Sequence, residues 1–183
     1  RGGMSLTAAL VERRSVRAFS ARGLSTAELG QLCWAGQGVT SEAGYRVAPS
    51  AGALYPIELF VATADGVGQY DPAKHQLVWR RAEDLRATLQ EHALDQSAVG
   101  AAPACFVIVA DIPRTAKKYG QRAERYCILE AGHVCQNILL QATALGLAGV
   151  PIGAFEDAKI ARELDLPESQ RAYYLVPVGA PAE

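Results

Sequence analysis

Glu12-Arg13-Arg14-Ser15-Val16-Arg17-Ala18-Phe19 places three arginines within five residues of a chain whose formal net charge is −1. Planar guanidinium forks take phosphate oxygens in pairs, and a neighbouring serine adds a neutral hydrogen-bonding group. The segment reads as the seat of a phosphorylated small molecule. It reads equally well as a solvated helix end whose cations oppose the C-terminal dipole.

Two other stretches have the texture of a binding site. In Arg46-Val47-Ala48-Pro49-Ser50-Ala51-Gly52-Ala53-Leu54-Tyr55-Pro56, two prolines fix the loop, while Ala51, Gly52 and Ala53 leave room for something flat against the backbone. An ordinary well-ordered loop would look the same. Val150-Pro151-Ile152-Gly153-Ala154-Phe155 leaves a strand through small residues, with backbone N–H groups free to meet a ligand edge.

Several familiar engines are missing. Gly66-Val67-Gly68 lacks the third glycine of a dinucleotide fingerprint and precedes a hairpin, so it reads as a turn. There is no P-loop and no nucleophile elbow. His75, His92 and His133 are too scattered for a metal site, and Glu130 with His133 reads as a structural pair inside one helix. Hydrolysis and metal chemistry have no visible machinery, which leaves a borrowed cofactor. An arginine cluster for a phosphate and small rigid loops for a flat ring suggest flavin mononucleotide, FMN.

The chain has 183 residues, half of them hydrophobic and a fifth charged. That suits one domain, spanning 1–183, with a substantial core. It excludes a disordered chain and gives no support for a nucleic-acid surface. No apolar run approaches the ~18–20 residues needed to cross a bilayer, and no charged-then-apolar leader opens the sequence. Cys33, Cys105, Cys127 and Cys135 form no CxxC pair. They read as buried free thiols in a reducing cytoplasm, with neither a zinc site nor a disulfide framework.

These residues need elements to position them. Ser5 to Arg14 reads as a short helix capped by Ser5. Ser25-Thr26-Ala27-Glu28 is a capping box opening a second helix that Gly38 stops. Residues 39 to 56 should be loop. Ile57 to Ala64 is a strand, and a hairpin around Asp71-Pro72 pairs the Tyr70 region with Leu77 to Arg80. Ala82 to Leu94 is helical, and Cys105 to Ala110 is a central strand. A long helix from about Arg125 to Leu145 is apolar on most sides, with a polar stripe at Glu130, His133, Asn137 and Gln141. Strand Val150–Ile152, helix Asp157–Leu164 and strand Ala172–Val178 complete a three-layer mixed α/β or α+β arrangement.

The segments Glu12–Phe19, Trp34-Ala35-Gly36-Gln37-Gly38, Ala48–Pro56, Lys118-Tyr119-Gly120, Glu130-Ala131-Gly132-His133 through Gln136-Asn137, Pro151–Phe155 and Pro177-Val178-Gly179 resemble, in order, the nitroreductase superfamily. More closely they resemble its SagB-type branch, which contains the azoline dehydrogenases of thiazole- and oxazole-modified peptides. The resemblance implies a mostly antiparallel central sheet flanked by helices and an intertwined homodimer with two FMN sites at the interface. It implies that Arg13, Ser15 and Arg17, with Arg14 beside them, hold the FMN phosphate and ribityl chain. It further implies that Pro49, Ser50 and Ala51 form the loop supplied by the partner subunit. Ile152, Gly153 and Ala154 then match the turn near the flavin N5. Gln96 matches a partner for the pyrimidine edge of the ring, or is a surface glutamine.

Lys118-Tyr119 matches the Lys-Tyr pair of the azoline dehydrogenases. Azoline oxidation sends a hydride to the flavin and a proton to a base, and a cation beside a tyrosine favours its proton-accepting form. The alternative is a basic surface helix, since Arg114, Lys117, Arg122 and Arg125 crowd the same stretch. Two departures bear on the branch. The basic residues that follow the last strand in many nitroreductases are missing after Gly179, and the acidic residue that often follows the Pro-Ile step is Gly153. Three readings result: a SagB-type FMN oxidoreductase acting on a small-molecule or peptide-derived heterocycle; a reductase of nitro compounds or quinones with NAD(P)H as co-substrate; or a non-catalytic flavin-binding or docking module of a biosynthetic complex.

Overall fold

Seven of the eight residues of Ala104–Asp111 are buried, and the chain is arranged around this strand, β4. In the computed structural model, which describes residues 3–182, the other strands are β1 (Ile57–Thr63), β2 (Gly66–Asp71), β3 (Gln76–Arg81), β5 (Ala148–Gly149) and β6 (Gln170–Gly179). They form one six-stranded sheet in the order β3-β2-β1-β4-β6-β5, with every pairing antiparallel.

Side chains alternate across this sheet, as strand geometry requires. Leu59, Val61, Phe106, Ile108 and Val176 enter one core cluster, and Phe60, Ala62, Val107, Val109 and Leu175 enter another on the opposite face. The first face is covered by α2 (Thr26–Gln37) and α6 (Ala123–Ala144), with α1 (Leu6–Glu12) and α5 (Ile112–Tyr119) packed against α6. The second is covered by α3 (Arg86–His92), α4 (Ser97–Ala101) and α7 (Asp157–Glu163). The architecture is a three-layer α+β fold.

Helix α2 opens on the expected capping box, Ser25 and Glu28 each accepting from the other's backbone N–H. It lies close on α6 at Gly36, where a Cβ would stand 3.2 Å from Ile138. Helix α6 buries Ala131, Val134, Cys135, Ile138 and Ala142, while Ile128 and Leu129 remain half exposed. All four cysteines are free and buried, and burial pushes the thiols of Cys33, Cys105 and Cys135 up to about 12.

The hairpin pairs Tyr70 with Leu77 and Asp71 with Gln76, around the expected turn. Gly66-Val67-Gly68, read as a turn, instead opens β2: Val67 is buried opposite Ala62, and the chain reverses at Ala64–Asp65. The helix expected over residues 82–94 is confined to Arg86–His92: β3 runs on through Arg81 before it, and Leu94 and Asp95 both take positive φ after it, before α4 begins. The strand expected at Val150–Ile152 lies earlier, at Ala148–Gly149. Pro151 has no N–H to extend the ladder, so Ile152 pairs with Leu175 only as an isolated bridge. A bulge in β6 leaves Tyr173 without a partner residue, so Tyr173 and Tyr174 both pack on the α6 side. Among the described residues no helix is long and apolar enough to cross a membrane, and no His/Cys/Asp/Glu group could hold a metal.

Candidate functional site

The arginine segment follows α1 and runs along the β5 edge of the sheet. Ser15 bridges Gly149, and the Val16 N–H donates to the Gly149 carbonyl at 3.1 Å. The three arginines then divide. Arg14 folds back, its NH1 donating to the carbonyls of Val11 at 2.7 Å and Arg13 at 2.8 Å, so it serves the C-terminal end of α1. Among the described residues, the guanidinium groups of Arg13 and Arg17 take no hydrogen bond and no ion pair. Two free forks and the exposed Ser15 hydroxyl suit a phosphate.

Three residues beyond Gly149, the backbone turns at Ile152-Gly153-Ala154. Ile152 is buried and exchanges both backbone hydrogen bonds with Leu175, whereas Gly153 and Ala154 are exposed and their N–H groups have no partner among the described residues. Gln96 holds this turn from the side: its Nε2 donates to the carbonyls of Ala93 and Ala154, each at 3.0 Å. That leaves the Gln96 oxygen for any further contact. The arginine segment, the turn and Gln96 form a first group.

The second group surrounds Pro49–Tyr55. Ala51–Ala53 makes one 3-10 turn, and Gly52, Ala53 and Tyr55 all have positive φ. Two of these are not glycine, so the loop is held in a costly conformation. The restraints are visible. Ser50 Oγ accepts from the Tyr55 N–H at 2.8 Å, Arg114 NH1 donates to the Tyr55 carbonyl at 2.7 Å, and the Arg46 guanidinium lies 4.8 Å from the Tyr55 ring centroid. Arg114 is itself fixed by Glu58 at 2.8 Å.

Lys118 and Tyr119, at the end of α5, come to this loop. A Cβ built on Gly52 would lie 2.8 Å from both Lys118 Nζ and Tyr119 OH, so the absence of a side chain there makes room for both tips. The ammonium lies 5.5 Å from the Tyr119 ring centroid, and Tyr126 packs edge-on against that ring at 4.9 Å. Helix α5 is thus the basic surface helix offered as the alternative, and it also delivers an ammonium and a phenol to the loop.

Glu130 also joins the loop, which sequence reasoning missed. Its Oε1 accepts the Ala51 N–H at 2.9 Å, so the expected pairing with His133 is not the hydrogen bond that forms. His133 is exposed. Burial raises the Glu130 carboxyl above its ordinary range, while the Ala51 N–H, the Ser50 hydroxyl and the His133 charge pull it back. The sequence signs were the place of Glu130 in the polar stripe of a mostly apolar helix and in one of the segments that carry the family resemblance, and neither pointed to Ala51.

No hydrogen bond among the described residues joins the first group to the second. A cavity of about 720 Å³ between α2 and the β2–β3 hairpin, walled by Leu29, Cys33, Tyr70 and Trp79, is lined by none of the candidate residues of either group. A site completed by a second chain would not show as a cavity in one chain.

The profile of the nitroreductase family matches residues 10–180. A Methanocaldococcus jannaschii protein provisionally named nitroreductase MJ1384 is 40% identical over 180 residues, covering 95% of this chain and 90% of its own. A provisionally named nitroreductase of Ralstonia eutropha superposes with a TM-score of 0.90 at 31% identity, covering 99% of this chain and 85% of that one. The NADPH:FMN oxidoreductase of Vibrio harveyi, solved with NAD+, shares the fold with a TM-score of 0.73 at 22% identity, over 97% of this chain and 69% of its own. The chain belongs to the nitroreductase family of FMN-dependent oxidoreductases.

Proposed function

We propose that this chain is an FMN-dependent oxidoreductase of SagB type that moves a hydride between the flavin and a small-molecule or peptide-derived heterocycle. The observation that carries this reading is the meeting of Lys118 Nζ and Tyr119 OH at Gly52. Azoline oxidation needs a proton acceptor as well as a hydride acceptor, and the phenolate form of a tyrosine beside an ammonium can take that proton and become the neutral phenol. FMN, when bound, supplies the hydride acceptor. Arg13, Arg17 and Ser15 bind the phosphate, the Gly153 and Ala154 amides face the ring edge, and Gln96 fixes those amides through the Ala154 carbonyl. Pro49, Ser50 and Ala51 present the loop to the flavin held chiefly by the partner subunit.

A homodimer follows from the same reading. Leu6, Leu10 and Val11 on α1 and Ile128 and Leu129 on α6 are each at least half exposed, an apolar surface that a second copy would cover. The two unlinked groups of candidate residues become one site when the chains pair. The domain acts as one unit in the cytoplasm.

A reductase of nitro compounds or quinones that uses NAD(P)H is the second reading, favoured by the name of the 40% identical relative. Steady-state assays of the FMN-loaded protein separate the two. Oxidation of a thiazoline- or oxazoline-containing peptide is the expected result. Rapid NAD(P)H oxidation with a nitroaromatic acceptor, and no azoline oxidation, would overturn it.

A further inference from the structure

We infer that Glu130 is a positioning residue for the flavin: its carboxylate fastens the Ser50–Ala53 loop at the Ala51 N–H and so sets the surface that loop offers to the cofactor. This rests on FMN binding as proposed above. Glu130 is 5% exposed and lies in the middle of α6, 79 residues from Ala51 in sequence, yet its Oε1 stands 2.9 Å from the Ala51 nitrogen. A buried carboxylate is costly unless a hydrogen bond repays the lost hydration, and an apolar residue would suit the surrounding core of Cys127, Ala131 and Val134. The charge is spent on a loop whose next residue, Gly52, has positive φ and lies against Lys118 and Tyr119. Ser50 and Arg114 secure the Tyr55 end of that loop, and Glu130 secures its start. With both ends tied, the free Pro49–Ala51 face is held in one conformation, and a ligand that binds it loses little further freedom.

FMN titration by quenching of flavin fluorescence, alongside thermal melting, tests this on the full chain. Glu130→Ala is expected to raise the FMN Kd about tenfold, and Glu130→Gln, which keeps an acceptor oxygen, to stay within about threefold of wild type. Ala51→Pro deletes the donor at a position that opens a helical turn, where proline is tolerated. It should weaken FMN binding as Glu130→Ala does, and the double variant should bind no more weakly than either single one. A folded Glu130→Ala protein with wild-type affinity, a Gln variant as weak as the Ala variant, or additive losses in the double variant would each overturn the inference. If Glu130→Ala fails to fold, Ala51→Pro against Ala51→Gly decides, and equal affinities overturn it. Absence of FMN binding by the wild-type chain would instead defeat the cofactor reading itself.

Discussion

Gly52→Ala is the smallest change that reaches Lys118 and Tyr119. Gly52 has φ +64 and ψ 18, a left-handed conformation that costs an alanine about 1–2 kcal/mol. For a chain of this size that lowers the melting temperature by roughly 2–8 °C. The new Cβ would lie 2.8 Å from Lys118 Nζ and Tyr119 OH, short of an ordinary contact of about 3.5 Å. The obstructing atoms are the ends of long side chains, so the ammonium and phenol swing aside by roughly 0.7 Å while the core is untouched. A displacement near 1 Å at a reacting group can cost about a hundredfold, and the expected fall in azoline turnover is therefore between about tenfold and a hundredfold. Stopped-flow reduction of the bound flavin, followed near its visible band, isolates the chemical step. The rate is read on FMN-saturated protein, so any change in affinity caused by the altered Ala51–Ala53 turn does not enter it. Unchanged reduction rate in a variant whose melting temperature has dropped as expected would refute a chemical role for the Lys118–Tyr119 pair.

Arg13→Ala and Arg17→Ala should each weaken FMN binding by tenfold or more, as loss of a charge-assisted contact does, on the order of 1.5–3 kcal/mol. Arg14→Ala should leave FMN affinity within about twofold, because its guanidinium already serves the α1 carbonyls; equal losses in all three variants would contradict this division. Gly36→Val should destabilise the fold by about 1–3 kcal/mol in urea unfolding, since a Cβ there would already stand 3.2 Å from Ile138 and 3.3 Å from Val134, leaving no room for the two methyl groups beyond it. Glu28 is held down to about 2 by its hydrogen bond to Arg22 and then by the Ser25 N–H. A folded-state pKa below the unfolded one gives stability that is present above pH 4.5 and is lost as pH falls toward about 2. The stability gap between wild type and Glu28→Gln should therefore narrow over that window, and a constant gap in urea melts would count against the ion pair.

What could be read from the sequence was what local pattern encodes. The apolar run of β4, the Ser25 capping box and the turn around Asp71-Pro72 each specify their element within a few residues, and all three are present. Helix α5 is harder to see. Its strongest signal is Pro113 in the first turn, followed by a charged surface with few apolar positions. The break after α3 was invisible because Leu94 and Asp95 adopt positive φ without a glycine to announce it. For the site, residue types could be read but their meeting could not. Spacing of three on one helix pointed Glu130 to His133, whereas the tertiary fold brings Ala51 to it from 79 residues away. Arg13, Arg14 and Arg17 look interchangeable in sequence, and only the direction of the chain leaving α1 distinguishes them.

The separation of the candidate residues into two groups without a joining hydrogen bond has a genetic consequence. If each site draws one group from each chain, two inactive proteins can repair one another. A chain lacking Arg13 and Arg17 keeps a sound Pro49–Tyr55 loop, and a chain damaged at Gly52 keeps sound arginines. In an equimolar mixture that exchanges subunits freely, about half of the dimers are mixed, and each mixed dimer holds one intact site and one doubly damaged site. Mixing the two inactive preparations should then restore about a quarter of wild-type activity.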